Sequence, residues 1–211
     1  IYGFCGVTHL VEFSKGGDIS DAIEDTQPLS QVEKLKIAAQ VAISLADLHN
    51  FDHEGTATVA STDITPYQFL YINGSYKLND FNRARFIGWN TEDNKPCPFH
   101  VAKNPGKWRA PEEYAYESET EKIDVFSMGN IFYYILTGRT PFYSVSSKEA
   151  AKRVKRGERP PLSEELKESN DPVNRALMKA IEMCFVPTPS DRPSAREVAS
   201  YLTSETQKIL G

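Results

Sequence analysis

Two aspartates carry the chemistry that this sequence is equipped to do. Asp63 lies in the run Ser61-Thr62-Asp63-Ile64-Thr65-Pro66-Tyr67-Gln68-Phe69-Leu70, and Asp80 opens the triplet Asp80-Phe81-Asn82. Between them residues 69–72 and 76–78 flank Asn73-Gly74, a dipeptide that accepts the positive φ angles of a tight hairpin turn. Asp80 therefore stands just past the end of a hairpin strand, and the two carboxylates belong to neighbouring loops. Phosphoryl transfer asks little covalent work of a protein. It needs a carboxylate that receives and aligns the attacking hydroxyl, and oxygen ligands that hold magnesium on the phosphates. Two aspartates so placed supply both. Read one at a time, each has a plainer role, because an aspartate beside a hairpin is commonly a solvated turn residue.

The elements that must position these loops show in the residue pattern. Runs 1–6 and 8–13, rich in Ile, Tyr, Phe and Val, predict two short strands, with Gly16 and Gly17 closing the second. From Ser30 the period changes: Leu35, Ala38, Ala42, Leu45 and Leu48 recur at helical spacing behind the capping box of Ser30 and Glu33, which predicts a long buried helix. Residues 83–109 show no sustained periodicity and hold Gly88, Pro96, Pro98, Pro105 and Gly106, so a long loop is expected there. A loop of that length inside a compact domain is usually functional. Residues 122–137 are apolar almost all round and end at Gly138, the pattern of a helix buried at the centre of a lobe. Further helices are expected at 148–155, 173–184 and 195–210, the last behind the capping box of Ser194 and Glu197. A few strands followed by many helices make the fold class α+β, mainly helical.

Bulk composition narrows the alternatives. With 211 residues, 40% of them apolar, the chain can bury a sizeable core as one domain. A net charge of -5 leaves no basic footprint for nucleic acid or an acidic membrane. Cys5, Cys97 and Cys184 lie far apart with no C-x-x-C spacing, which argues against a disulfide framework and a zinc site and fits a reducing, cytoplasmic setting. His9, His49, His53 and His100 have no metal-ligand spacing and read as structural. No run approaches the roughly 18 apolar residues that would mark a membrane span. The chain opens at Ile1 inside a strand-like run, so an N-terminally truncated domain is expected.

The ordered series of motifs resembles the protein kinase superfamily. Residues 61–70 resemble its catalytic loop, H-R-D-x-K-P-x-N-x-L, with Asp63 as the base, and Asp80-Phe81-Asn82 resembles D-F-G. Lys107-Trp108-Arg109-Ala110-Pro111-Glu112 resembles the A-P-E motif that closes the activation segment. Asp124-Val125-Phe126-Ser127-Met128-Gly129 resembles the start of the central helix, whose aspartate ties back to the catalytic-loop backbone, and Asp191-Arg192-Pro193 carries the late arginine that pairs with the A-P-E glutamate, here Glu112. The stretch 105–112 is similar to the P-x-K-W-x-A-P-E of tyrosine kinases, and Tyr2-Gly3-Phe4-Cys5 resembles plant receptor-like kinases, which suggests the tyrosine-kinase-like branch.

The resemblance implies a kinase-like domain over residues 1–211, with the last N-lobe strands and hinge in 1–14 and the C-lobe in 15–211. It implies ATP and Mg2+ as cofactors and a protein as substrate. Val11, Glu12, Phe13 and Ser14 would form the hinge that touches adenine through its backbone, with Gln68 and Leu70 completing the nucleotide side. Asp80 and Gln68 would be the magnesium ligands, and Asp63 and Thr65 the catalytic positions. The chain also departs from the family. Thr62 stands where an arginine senses a phosphorylated activation loop, and Thr65 where a lysine contacts the transferring phosphate. Gln68 stands where an asparagine holds magnesium and adds a methylene to a site of strict geometry. The glycine-rich loop, the strand lysine and its glutamate would all precede Ile1. Two readings follow: a protein kinase that phosphorylates Ser/Thr or Tyr, favoured by Asp63 and Asp80, and a pseudokinase acting as a binding scaffold, favoured by Thr65 and Gln68. A receptor-like parent would place the domain at the cytoplasmic side of a membrane.

Overall fold

The computed structural model describes residues 3–6 and 8–211. Strands β1 (Gly3–Cys5) and β2 (Thr8–Leu10) pair antiparallel, Gly3 opposite Leu10. The first expected strand began at Ile1 and Tyr2, which lie outside the described residues. The second is shorter than expected: residues 11–14 carry no strand pairing, because their groups turn toward a different hairpin.

Two helices follow, α1 (Ile19–Glu24) and α2 (Gln31–His49). Asp18 caps α1 by accepting from the amides of Ser20 and Asp21, while Ser30 and Glu33 cap α2 reciprocally. Strand β3 (Val59–Ala60) precedes the catalytic-loop run, a 3-10 turn occupies Pro66–Gln68, and β4 (Phe69–Ile72) and β5 (Ser75–Leu78) form the expected hairpin. Asn73 and Gly74 sit at its tip with φ of 52° and 88°, the left-handed angles that such a dipeptide accepts.

The stretch 83–109, expected to be unpaired loop, contains three two-residue strands. β6 (Arg85–Phe86) pairs with β3, and β7 (Trp89–Asn90) pairs with β8 (Lys95–Pro96). Their partners are too few and too short to leave a period in the sequence.

The rest is helical: α3 (Pro111–Ala115), α4 (Lys122–Thr137), α5 (Ser147–Lys155), α6 (Glu164–Lys167), α7 (Pro172–Cys184) and α8 (Ala195–Leu210). Every residue of α4 from Ile123 to Leu136 is buried, as its all-round apolar pattern requires, and Gly138 ends it in the left-handed conformation. The core runs between α2, α4, α7 and α8, joining Leu35, Val41 and Leu45 to Met128, Ile131, Phe132, Leu177, Ile181, Val198 and Leu202. Gly129 permits the tightest approach: a Cβ there would lie 2.6 Å from the Cβ of Cys184 and 2.9 Å from the Phe185 ring. Fully buried, the Cys184 thiol has its pKa pushed up by desolvation. The helical block is the platform; the candidate site sits where the hairpin and the 83–109 segment meet its edge.

Candidate active site

The loop that bears Asp63 is fixed from below by one carboxylate. Asp124, in the first turn of α4, is 1% exposed. Its Oδ2 accepts the amide of Ser61 at 2.7 Å and its Oδ1 the amide of Thr62 at 2.8 Å. The imidazole of His49, at the end of α2, approaches Oδ2 at 3.0 Å. Charge-assisted bonds of this kind, shielded from water, are the strong ones. His49 is therefore structural, as its sequence context indicated.

Thr62 pays for this geometry in backbone strain. Its φ is 57°, an outlier for a β-branched residue. Such a conformation costs about 1–3 kcal/mol and persists where the surroundings over-determine it. Here they do: the Thr62 amide is held by Asp124, its hydroxyl donates to the carbonyl of Arg83 at 2.8 Å, and its carbonyl accepts from Arg109 Nη1 at 2.8 Å.

Asp63 follows directly, half-buried, and both of its oxygens are engaged. Oδ1 forms an ion pair with Nη2 of Arg109, and Oδ2 accepts from Nε2 of Gln68 at 3.3 Å. Gln68 thus touches the proposed base, and the donor end of its amide is committed there. Thr65 is buried, leads into the 3-10 turn, and brings no charge. Leu70 lies in β4 opposite Lys77 and forms a bridge with Asp18.

Asp80 sits across the hairpin in a left-handed conformation, φ 59°, which aspartate tolerates better than most residues. Its Oδ1 accepts the amide of Asn82 at 3.2 Å and its Oδ2 the Asn82 side-chain amide at 3.3 Å. The segments of Asp63 and Asp80 are cross-linked on both sides. The Asn79 amide donates to the Gln68 carbonyl at 2.7 Å, and beyond Asp80 lies the Thr62 to Arg83 contact already described.

On the side read as the hinge, the structure ties side chains to the hairpin. Glu12 accepts from Lys77 Nζ at 2.7 Å, and the Ser14 hydroxyl donates to the Tyr71 carbonyl at 2.9 Å. Val11 and Phe13 are exposed. The backbone of this stretch and the exposed Val11 and Phe13 side chains remain for contact with a base.

The far end of the 83–109 segment is anchored rigidly. Trp108 packs edge-on against Tyr134, its carbonyl accepts from Asn130 Nδ2 at 3.0 Å, and Lys107 Nζ donates to the Phe142 carbonyl at 3.0 Å. Next comes Arg109, 4% exposed, with Nη1 3.9 Å from Oε1 of Glu113. Glu113 is 1% exposed and its Oε2 accepts the Ala110 amide at 2.6 Å. Burial pushes its pKa up to about 8 against the pull of Arg109 and that amide. Arg109 Nε and Glu113 Oε1 are buried with no hydrogen-bond partner among the described residues. Glu112 and Arg192 form the expected buried ion pair, Nη1 to Oε1 at 2.8 Å. Arg192 also donates to the carbonyls of Lys122 and Val186.

The residues present suit magnesium. Among the described residues no cluster of three or more His, Cys, Asp or Glu side chains could cage a metal. Magnesium is commonly held by one or two carboxylates together with substrate phosphates and water, so the half-buried carboxylate of Asp80 fits that chemistry.

Arg109 carries no sequence signal beyond its place in the K-W-R-A-P-E stretch. A long charged side chain directly before a helix normally faces solvent. Nothing local signals that this one is buried against a carboxylate forty-six positions earlier.

Comparison with known proteins gives a consistent result. The family model for the protein kinase domain matches residues 6–202. The chain is 29% identical over 193 residues to a candidate serine/threonine-protein kinase/receptor of Acanthamoeba polyphaga mimivirus, covering 90% of this chain and 10% of the relative. It is 26% identical over 212 residues to mitogen-activated protein kinase kinase kinase 7 of Homo sapiens, covering 96% of this chain and 32% of the relative. It is 28% identical over 156 residues to serine/threonine-protein kinase VIK of Arabidopsis thaliana, covering 72% and 34%. The chain thus spans between a tenth and about a third of the curated relatives it matches.

Proposed function

The chain belongs to the protein kinase family, and on that premise we propose that the full-length protein transfers the γ-phosphate of ATP to a serine or threonine hydroxyl of a protein substrate. One observation carries the reading. Asp63 and Asp80 are both present, and their segments are cross-linked by the Gln68 to Asn79 and Thr62 to Arg83 contacts. The choice of serine or threonine over tyrosine rests on the names of the viral and plant relatives.

In this reading the substrate oxygen forms a bond to the γ-phosphorus while the bond from that phosphorus to the bridging oxygen breaks, and ADP departs with the electron pair. Asp63 takes the hydroxyl proton, and Gln68 and Arg109 hold its carboxylate in place. Asp80, with the oxygen end of Gln68, would hold magnesium, which when bound offsets the charge of the phosphate oxygens. The backbone of residues 11–14 and Leu70 would face the nucleotide base. Free cysteines at 5, 97 and 184 support a cytoplasmic setting for the reaction. Among the described residues no helix is long and apolar enough to cross a membrane.

A second reading is favoured by Thr65, which leaves the catalytic loop without its own cation: a non-catalytic scaffold. Phosphate incorporation into a generic protein substrate, with Mg-ATP and the full-length protein, separates the two. Wild type is expected to be active and Asp63→Asn to lose about 10² to 10⁴ in rate. Equal incorporation by both would remove Asp63 from the base role. A folded but inactive wild type would favour the scaffold.

A further inference from the structure

The catalytic loop has lost the positive charge that the family places two residues after the base, yet a buried positive charge is present at that base. It arrives from the other side, on Arg109, at the end of the 83–109 segment. We infer that Arg109 is a positioning residue for the phosphoryl transfer proposed above, replacing from the activation segment the cation absent at Thr65; the inference rests on that reading of the site.

The geometry is specific. One guanidinium nitrogen grips Asp63 Oδ1 while the other donates to the carbonyl of Thr62 at 2.8 Å, so a single planar group spans the base and the backbone immediately before it. Arginine can do this because its donors form a rigid fork; a lysine ammonium is a point charge. Gln68 holds the second carboxylate oxygen, leaving the Asp63 side chain bonded from both sides. The remaining acidic neighbour does not compete. Glu113 is the other carboxylate within 4 Å of Arg109 among the described residues, at 3.9 Å, and buried there it favours its neutral form. The charge of Arg109 is therefore directed at Asp63.

Placement adds a second consequence. Arg109 follows Trp108, which is docked on Tyr134 and Asn130, and precedes α3, which is tied to Arg192 through Glu112. The cation reaches Asp63 only while this end of the segment is seated. In a kinase with the lysine inside the catalytic loop, base and cation share one loop; here they are on two, and orientation of the base depends on the docking of the activation segment.

The test is steady-state kinetics of the full-length protein with Mg-ATP and a protein substrate, for wild type, Arg109→Met, Thr65→Lys and the double variant. Misplacing a reacting group by about 1 Å can cost about 10²-fold. Arg109→Met is expected to lower kcat by about that factor with the KM for ATP little changed, and Thr65→Lys to restore at least about tenfold of it in the double variant. That pattern is not expected of a purely structural arginine, because a lysine at position 65 cannot repair a packing defect. Wild-type kcat in Arg109→Met, or loss without rescue in a double variant that still melts cooperatively, overturns the inference. If Arg109→Met does not fold, Arg109→Lys decides: it keeps the charge and loses the fork, so an unchanged kcat overturns the bridging role and a lowered kcat at an unchanged melting temperature supports it. Inactivity of wild type itself refutes the catalytic reading and this inference with it, whereas an active wild type indifferent to Arg109 refutes this inference alone.

Discussion

His49 and Asp124 meet at 3.0 Å in the interior, with side chains 2% and 1% exposed, and the same carboxylate receives the amides of Ser61 and Thr62. Three donors from two parts of the chain converge on one group. Replacing Asp124 by Ala leaves them all without an acceptor, at about 1–3 kcal/mol for each group stranded. Asp124→Ala is expected to destabilise by at least about 3 kcal/mol in urea titration. His49→Ala, which leaves both amides satisfied, should cost clearly less.

The Glu112 and Arg192 pair lies in the same buried layer, Arg192 being 1% exposed. Removing one partner of such a pair typically costs about 3–5 kcal/mol, because the other charge is left uncompensated. Arg192→Ala is expected in that range. Joint replacement by Glu112→Leu and Arg192→Met should not return to wild-type stability, since the carbonyls of Lys122 and Val186 also depend on Arg192. A denaturant double-mutant cycle reads both effects.

Glu113 gives the fold a pH dependence with a definite sign. Its pKa rises from 4.5 in the unfolded chain to about 8 in the folded one through burial. Between those values the folded state keeps a proton that the unfolded state releases, so stability falls with rising pH. The contribution is fully present below 4.5 and exhausted above about 8. Glu113→Gln keeps an oxygen for the Ala110 amide and should flatten part of this slope, matching wild type near the acid end and exceeding it at alkaline pH. Glu119, pushed up to about 7 by burial, contributes a slope of the same sign that the variant leaves in place. Urea midpoints measured across this range check the prediction; an unaltered slope in Glu113→Gln would refute it.

Gly129 has no positive φ to explain it, only proximity. A methyl there would press on Cys184 and Phe185 at 2.6 and 2.9 Å. Alanine is the better helix former by about 1 kcal/mol, but overpacking a buried helix contact costs about 1–3 kcal/mol. Gly129→Ala is expected to be destabilising on balance in thermal melts, and the effect should shrink when Phe185→Leu makes room.

Much of this was legible in the residues. The Asn73-Gly74 turn placed Asp63 and Asp80 on neighbouring loops, the capping pairs at Ser30 and Ser194 opened α2 and α8 where they begin, and the apolar girdle of 122–137 marked the central helix. What escaped was short or distant. Helix α1 has six residues, too few for a period, and its cap is Asp18 with Asp21 instead of the serine and glutamate pattern. β3 and β6 are two residues each and meet across the whole hairpin. The partners of Arg109 and the left-handed angle of Thr62 are set by tertiary contacts that no local pattern encodes.

The contacts of Glu12 with Lys77 and of Ser14 with Tyr71 sew residues 11–14 onto the β4–β5 hairpin. That hairpin has Gln68 at one root and Asn79 at the other. The Tyr71 amide adds a backbone tie, donating to the Gly17 carbonyl at 2.9 Å, so the strands whose bases flank the two aspartates are also moored to the edge of the domain.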